Sequence, residues 1–212
     1  MPIVREWGVF EDCKILVWQI AENIETLKQD IVVTSEEWQE YMTISHPQKQ
    51  LEWLTGRRAM QALVQNQGLH YEGMVKDEYG KPHLRNRVAE ISLTHTLRYV
   101  VASLSFSAPL GVDLERVAPK LLRVAPKFLS EEEEKYALTD FRKLCTYWCA
   151  KEAIYKLYGT KQLSFKQEIF IHDFTDQTEF WEGYICHRNQ SQRYYYRLHR
   201  FEMEDFVGVL AV

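Results

Sequence analysis

The stretch that decides the fold is residues 139–159, TDFRKLCTYWCAKEAIYKLYG. It predicts a long helix that ends at Gly159, because glycine commonly follows the last turn of a helix. Trp148, Glu152 and Lys156 are each four residues apart, so they lie along one helix face. A glutamate in line with a tryptophan is expected near the edge of the core. The ordinary alternative is an exposed glutamate–lysine pair.

A short strand is predicted upstream, over Gly111-Val112-Asp113-Leu114-Glu115. Strand side chains alternate between two faces, so Asp113 and Glu115 share one face and Leu114 lies on the other. Two carboxylates on one face repel each other unless a cation or solvent lies between them. An exposed strand face is the alternative interpretation, since acidic side chains are usually exposed.

A metal site is expected if the helix packs on this strand. Glu152 would then join Asp113 and Glu115, and three carboxylates without histidine or cysteine suit a hard cation such as Mg²⁺. Lys151 and Lys156 would lie next to this centre and add positive charge for a phosphate-bearing substrate.

The first half of the chain contains further predicted elements. A strand is predicted over residues 14–20. A helix is predicted to begin at Ser45-His46-Pro47-Gln48 and to run to about Gln67, where Gly68 ends it. A tight turn is expected at Asp77–Pro82, and the β-rich stretch Ile91–Leu104 is interrupted at Thr94-His95-Thr96.

The second half continues with a segment that Pro119 and Pro126 are expected to break, followed by a helix that begins near Ser130. The remaining predicted elements are strands over residues 164–172, 180–186, 193–200 and 206–212.

Each half therefore combines strands with one long helix. We expect an α+β fold with two halves, residues 1–106 and 107–212, and a boundary near Phe106–Leu110, where Ser, Ala and Pro interrupt the β pattern.

Composition excludes several classes of protein. Hydrophobic residues make up 46% of the chain and charged residues 26%, as in ordinary globular proteins, and the net charge of −4 argues against nucleic acid as a partner. Neither a long apolar run nor a signal-peptide pattern is present, so we expect a cytoplasmic protein without a membrane span. The four cysteines form no C-x-x-C pair and are expected to be reduced buried thiols: Cys13, Cys145, Cys149 and Cys186.

Four motifs in order resemble those of the 4′-phosphopantetheinyl transferase superfamily. Two form its signature pair, the 111–115 strand and Trp148-x-x-Lys151-Glu152-Ala153-x-x-Lys156, about 30 residues apart. Gly80-Lys81-Pro82 resembles its first motif, and Thr94-His95-Thr96 resembles its Ser-His-Ser segment, with threonine at both serine positions. The chain length is similar to that of the larger monomeric, surfactin-synthetase-activating type.

The resemblance implies a pseudo-dimer of two similar α/β halves, each a small antiparallel sheet packed with a long helix, with coenzyme A between them. It implies that Asp113, Glu115 and Glu152 bind Mg²⁺. It places Lys156 on the phosphates of coenzyme A and Lys151 near the reacting centre. The nucleotide-binding positions that it implies are Gly80, Lys81, Pro82, Thr94, His95 and Arg57, with Arg58 and Lys49 as alternatives to Arg57.

The implied reaction moves the 4′-phosphopantetheine of coenzyme A to a serine of an apo acyl, peptidyl or polyketide carrier protein and releases 3′,5′-ADP. We expect Glu152, with Lys151 as the alternative, to take the serine proton. A magnesium-dependent phosphohydrolase and a non-catalytic module that binds carriers or coenzyme A are the rival interpretations.

A basic segment between the two signature motifs is a candidate docking surface for an acidic carrier. No acidic residue occurs from Arg116 to Ser130, which contains Lys120, Arg123 and Lys127. Leu121, Leu122 and Phe128 either supply an apolar centre for this surface or belong to the core.

Overall fold

The computed structural model describes residues 2–29, 31–137, 139–160, 162–188 and 190–212. The chain divides into two compact units, Met1–Leu110 and Gly111–Val212. Across these described residues there are six helices and three antiparallel sheets. The predicted combination of helices with antiparallel sheets is confirmed.

The N-terminal unit contains a four-stranded sheet, a two-stranded sheet and three helices. Its elements in chain order are β1 (Ile3–Val9), β2 (Cys13–Gln19), α1 (Ile24–Gln29), α2 (Ser35–Thr43), α3 (Pro47–Asn66), β3 (Met74–Lys76), β4 (Pro82–Leu84), β5 (Glu90–His95) and β6 (Tyr99–Ser105). The larger sheet has the order β1-β2-β6-β5, and β3 pairs with β4. The predicted turn at Asp77–Pro82 therefore joins two short strands, as expected.

Helix α3 packs on the larger sheet through Ala59, Met60, Leu63 and Val64, all of them buried. Its start differs from the prediction in one detail. The N-cap is His46, whose Nδ1 accepts a hydrogen bond from the backbone N–H of Gln48 at 3.2 Å, and Ser45 lies outside the helix. A ring nitrogen thus caps this helix, one residue after the Ser45 with which the predicted helix start began.

The C-terminal unit contains a five-stranded sheet and three helices. Its elements are β7 (Gly111–Arg116), α4 (Lys120–Phe128), α5 (Glu131–Ala137), α6 (Phe141–Tyr158), β8 (Ile169–Ile171), β9 (Phe180–Ile185), β10 (Tyr194–Met203) and β11 (Phe206–Ala211). The strand order is β7-β11-β10-β9-β8. The predicted strand over 164–172 is shorter than expected, because residues 165–168 form a turn and only Ile169–Ile171 pair with β9.

Helix α6 is the predicted signature helix, and both of its ends have the expected chemistry. Asp140 caps its start by accepting hydrogen bonds from the N–H groups of Arg142 and Lys143. Gly159 ends it in the left-handed conformation, with φ of 76°. At Gly111 a Cβ atom would lie only 1.9 Å from the carbonyl oxygen of Ala153, so only glycine allows β7 to approach α6 so closely.

Helix α4 shows that one prediction was wrong. The segment was expected to be broken by Pro119 and Pro126, yet it is helical from Lys120 to Phe128, with Pro119 at its N-cap and Pro126 in its last turn. The missing N–H of Pro126 costs only one hydrogen bond near the helix end. Burial of Leu121, Ala125 and Phe128 against the core compensates for that loss.

Among the described residues, no helix has both the length and the hydropathy needed to cross a bilayer.

Candidate active site

The two acids of strand β7, Asp113 and Glu115, lie on the face of the sheet that helix α6 covers. Asp113 pairs across the sheet with Val209, and Glu115 pairs with Val207. Directly paired residues share a sheet face, and both valines belong to the core cluster formed with α6. The predicted shared face of Asp113 and Glu115 is therefore the face that α6 covers.

Lys156 joins α6 to this strand. Its Nζ donates hydrogen bonds to Asp113 Oδ1 at 2.7 Å and to the carbonyl oxygen of Val112 at 3.0 Å. Asp113 is nearly buried, while the Lys156 side chain is 28% exposed. The ion pair therefore lies at the edge of the core, where one side of the ammonium faces solvent.

The carboxylates of this group influence one another. Burial raises the pKa of Glu152 to about 7; the negative charge of Asp113 adds to the increase, and Lys156 opposes it. Burial also raises the pKa of Glu115, again with help from Asp113, while Lys120 and a hydrogen bond from Trp148 lower it. Three acids and one lysine thus form an electrostatically coupled group, which we call the acid cluster: Asp113, Glu115, Glu152 and Lys156.

The acid cluster offers the donor chemistry of a hard cation. Its three acids supply oxygen ligands only. Burial and, after it, the negative charge of Asp113 raise the pKa values of Glu115 and Glu152, and a bound cation would oppose both effects. In the described part of the chain, however, no three acidic, histidine or cysteine side chains are already gathered closely enough to hold a metal ion. The three side chains therefore have the oxygen donors that Mg²⁺ prefers. One of them, Asp113, forms an ion pair with Lys156 in this structure.

Lys151 lies in different surroundings from the acid cluster. Its side chain is fully buried, and its Nζ lies within 2.9 Å of four oxygen atoms. One belongs to Glu133, at 2.6 Å, and three are carbonyl oxygens. Burial lowers the pKa of Lys151 to about 8, and the charge of Glu133 opposes that decrease.

The basic face of α4 adjoins the acid cluster. A cavity of about 470 Å³ is lined by Glu115, Trp148 and five residues of α4, which are Lys120, Leu121, Arg123, Val124 and Lys127. Of the apolar residues expected at the centre of this surface, Leu121 and Phe128 are core residues and Leu122 is 37% exposed. Of these three residues, only Leu122 therefore adds much exposed apolar area to the surface of α4.

In the N-terminal unit, Glu52 connects two of the predicted nucleotide-binding residues. This glutamate is 3% exposed, and its Oε2 lies 2.7 Å from Lys49 Nζ and 3.4 Å from His95 Nδ1. Gln48 donates to its other oxygen at 3.2 Å. One buried carboxylate thus holds two partly exposed basic side chains that come from α3 and from the end of β5.

Asp77 shapes the turn that carries Gly80, Lys81 and Pro82. Its Oδ1 accepts hydrogen bonds from the backbone N–H groups of Tyr79 and Lys81, each at 2.9 Å, and its Oδ2 lies 2.9 Å from His83 Nε2. Gly80 has φ of 89°, which favours glycine. Lys81 is partly withdrawn from solvent, and this burial lowers its pKa.

Arg57 is enclosed by acids. Its Nε and Nη2 lie 3.3 Å from Glu37 and 3.4 Å from Glu40, and its guanidinium stacks on Trp53 at 3.6 Å. Arg57 and Pro82 line a cavity of about 480 Å³ together with Glu36, Glu37, Glu40, Met74, Val75, Lys76, Arg85 and Leu93. Arg58 is more exposed than Arg57, and Thr94 is buried.

Three acids that organise the predicted sites were missed by sequence reasoning: Glu52, Asp77 and Glu133. Glu52 and Asp77 left a local signal, because Glu52 follows Lys49 by three residues on α3 and Asp77 opens the predicted turn. Glu133 lies three residues after Ser130 at the predicted helix start, but its pairing with Lys151 left no local signal, because the two meet only through the tertiary fold.

Residues 109–211 match the family model of the 4′-phosphopantetheinyl transferase superfamily. The matched segment covers nearly the whole C-terminal unit and contains every residue of the acid cluster. The match supports phosphopantetheine transfer at a coarse level. No curated protein matches this chain.

Proposed function

We propose that the protein transfers the 4′-phosphopantetheine moiety of coenzyme A to a serine of an apo carrier protein and releases 3′,5′-ADP. The observation that carries this proposal is the acid cluster within the matched unit. It combines three carboxylates of two adjacent elements with a lysine at the edge of the core. Such a group suits a substrate that brings both phosphates and a cation.

In the proposed reaction the serine hydroxyl oxygen bonds to the phosphorus that carries pantetheine. The bond from this phosphorus to the oxygen of 3′,5′-ADP breaks, and the bonding electrons leave with that oxygen. Glu152 accepts the hydroxyl proton, directly or through a water molecule. Lys156 binds and neutralises the phosphates with the solvent-facing side of its ammonium.

The proposed ligands of Mg²⁺ are Asp113, Glu115 and Glu152. When bound, the metal ion would supply positive charge that offsets the charge developing on the phosphates. The chain itself holds the three oxygen donors on two adjacent elements, β7 and α6. Lys156 donates a hydrogen bond to one of them, Asp113.

The proposed binding residues for the nucleotide end of coenzyme A belong to the N-terminal unit. Lys49 and His95 are held by Glu52, and Lys81 is held by the turn that Asp77 organises. Two basic side chains fixed on one buried acid form a preorganised partner for a phosphate monoester. Arg57 is a further proposed contact, with Arg58 as its alternative, and the charge of Arg57 is already matched by Glu37 and Glu40.

The proposed partner is an acidic carrier protein that docks on the basic face of α4. Lys120, Arg123 and Lys127 line the same cavity as Glu115, so a carrier bound there would bring its serine near the acid cluster. We further propose that the two units are the similar halves of one monomeric enzyme of the larger, surfactin-synthetase-activating type.

One experiment decides between this function and its rivals. The protein is incubated with coenzyme A, Mg²⁺ and a panel of apo acyl, peptidyl and polyketide carriers, and the intact mass of each carrier is measured. A mass increase of one phosphopantetheine on one or more carriers is expected. Release of 3′,5′-ADP without any carrier would instead favour a phosphohydrolase, and binding without either product would favour a non-catalytic module.

A further inference from the structure

The ammonium of Lys151 joins four segments of the C-terminal unit. It lies 2.9 Å from the carbonyl oxygen of Phe128, 2.8 Å from that of Phe165 and 2.7 Å from that of Ile169. Glu133 Oε2 completes the set at 2.6 Å. An ammonium has three N–H groups, so its donors are fully used and no lone pair is available to accept a proton.

The partner of this ammonium is itself fixed from several sides. Glu133 Oε2 also accepts a hydrogen bond from the N–H of Ser130 at 2.7 Å, and its Oε1 accepts one from the N–H of Ile171 at 2.9 Å. The Glu133 side chain is 5% exposed and that of Lys151 is not exposed at all. A buried ion pair is retained only where both charges are well bonded, and this pair meets that condition.

The C-terminal end of α4 is the element that depends most on these contacts. The last carbonyl groups of a helix lack partners within the helix. In α4 the carbonyl oxygen of Phe128 accepts from Lys151, and that of Pro126 accepts from Lys166 Nζ at 3.0 Å. Two cations from other segments thus fix the end of a nine-residue helix, where the helix dipole favours positive charge.

We propose that Lys151 is a positioning residue that fixes helix α4, and with it the basic surface that receives the carrier protein. This inference rests on the proposed function, because it assigns a partner to α4. It assigns different roles to the two lysines of the signature motif, Lys151 and Lys156. Lys156 faces solvent and the phosphates, whereas Lys151 acts through the end of α4 and contacts no substrate.

The test compares Lys151→Met with Lys166→Met, which removes the exposed contact at the same helix end. We expect Lys151→Met to raise the KM for the carrier about tenfold, equivalent to about 1.4 kcal/mol. The KM for coenzyme A and the kcat at saturating carrier should keep the wild-type values. A lower kcat with an unchanged carrier KM would overturn the proposal in favour of a base role for Lys151.

Lys151→Met leaves Glu133 buried without its partner, so folding is controlled with Lys151→Met/Glu133→Gln, which removes both charges. The folded double variant should show the same selective increase in carrier KM. Unchanged kinetics in that variant would overturn the proposal.

A second readout does not depend on activity. Hydrogen exchange of the amides of residues 120–128 should be faster in the double variant than in Lys166→Met, while β9 and β10 stay protected. Equal protection of α4 in all variants would overturn the proposal. Because exchange is measured without substrate, it decides the role of Lys151 even if the wild-type protein transfers no phosphopantetheine.

Discussion

Lys156 Nζ lies 2.7 Å from Asp113 Oδ1, so the lysine proposed to neutralise the substrate is paired with a proposed metal ligand. The pair keeps a nearly buried carboxylate matched when no cation is bound. A cation that binds Asp113 would take over this role and leave more of the ammonium's charge for phosphate. Metal binding and substrate binding should therefore support each other.

Replacement of Asp113 tests the metal assignment. Asp113→Ala should lower the transfer rate at least about 100-fold, since outer-shell changes alone cost metal sites about 10–100-fold. The rate is measured by intact mass, and thermal unfolding checks that the variant is folded. Asp205→Ala removes an exposed acid that is paired with Arg116 in the same unit and should leave the rate unchanged. Full activity in EDTA, or in Asp113→Ala, would contradict the assignment.

The raised pKa of Glu152 predicts how stability depends on pH. The folded protein keeps this proton up to about pH 7, whereas an ordinary glutamate loses it near 4.5. The folded state therefore binds more protons between these values, and the contribution of Glu152 to stability falls as pH rises from about 4.5 to about 7. Urea unfolding at a series of pH values measures this decline.

Two controls accompany the pH series. Glu152→Gln should flatten the decline over the same interval, and an excess of Mg²⁺ should oppose it, because a cation stabilises the ionised carboxylate. A decline that is identical in wild type and Glu152→Gln would assign it to another group.

Two substitutions test the proposed contacts with the 3′-phosphate of coenzyme A. Lys81→Ala and His95→Ala should raise the KM for coenzyme A about tenfold, since a charge-assisted hydrogen bond contributes about 1.5 kcal/mol or more. The KM for the carrier should stay constant. His70→Ala, an exposed histidine of the same unit, serves as the control. The penalty should shrink with dephospho-coenzyme A, and an equal penalty with both substrates would exclude a contact with that phosphate.

Charge reversal on α4 tests the docking surface. Lys120→Glu/Arg123→Glu should raise the carrier KM sharply at low salt and flatten or invert its salt dependence, while coenzyme A binding is kept. Lys135→Glu/Arg188→Glu makes the same change of charge at exposed positions elsewhere in the unit. An unchanged carrier KM at low salt in the α4 variant would move the docking surface away from this helix.

Arg57 should prove more important for folding than Arg58. Arg57→Met leaves Glu37, which is 4% exposed, without its charged partner, and breaking such a buried pair costs about 3–5 kcal/mol. Arg58→Met is the matched control at a more exposed position and should cost far less stability. The free energy of unfolding in urea compares the two. A loss of stability in Arg57→Met no larger than that in Arg58→Met would contradict this prediction.

The elements with local signals could be predicted from the sequence. Helix α6 has an acidic N-cap at Asp140 and a glycine at its end, and β7 alternates as a strand should. Helix α2 was not predicted, although it has such a signal too: Thr34 and Glu37 form a capping box at its start. For these three elements the residues at the ends, or the alternation along the strand, contain enough information for a prediction.

Long-range pairing could not be predicted in the same way. Glu52 and His95 are 43 residues apart and meet only because α3 packs on the sheet that contains β5. Helix α4 was missed because proline has a poor helix propensity, and only burial of its apolar side reverses that preference. Tertiary burial, which no short sequence window contains, decided both features.

Gly111 has a consequence for any attempt to change the ion preference of the proposed metal site. At this residue strand and helix already touch backbone to backbone, since a Cβ would lie 1.9 Å from the Ala153 carbonyl oxygen. The gap between the acids of β7 and Glu152 is consequently set by main-chain atoms and cannot be narrowed by smaller core side chains. An engineer who wishes to accept a larger or smaller ion must alter the reach of the carboxylates themselves, by exchanging aspartate and glutamate at 113, 115 and 152.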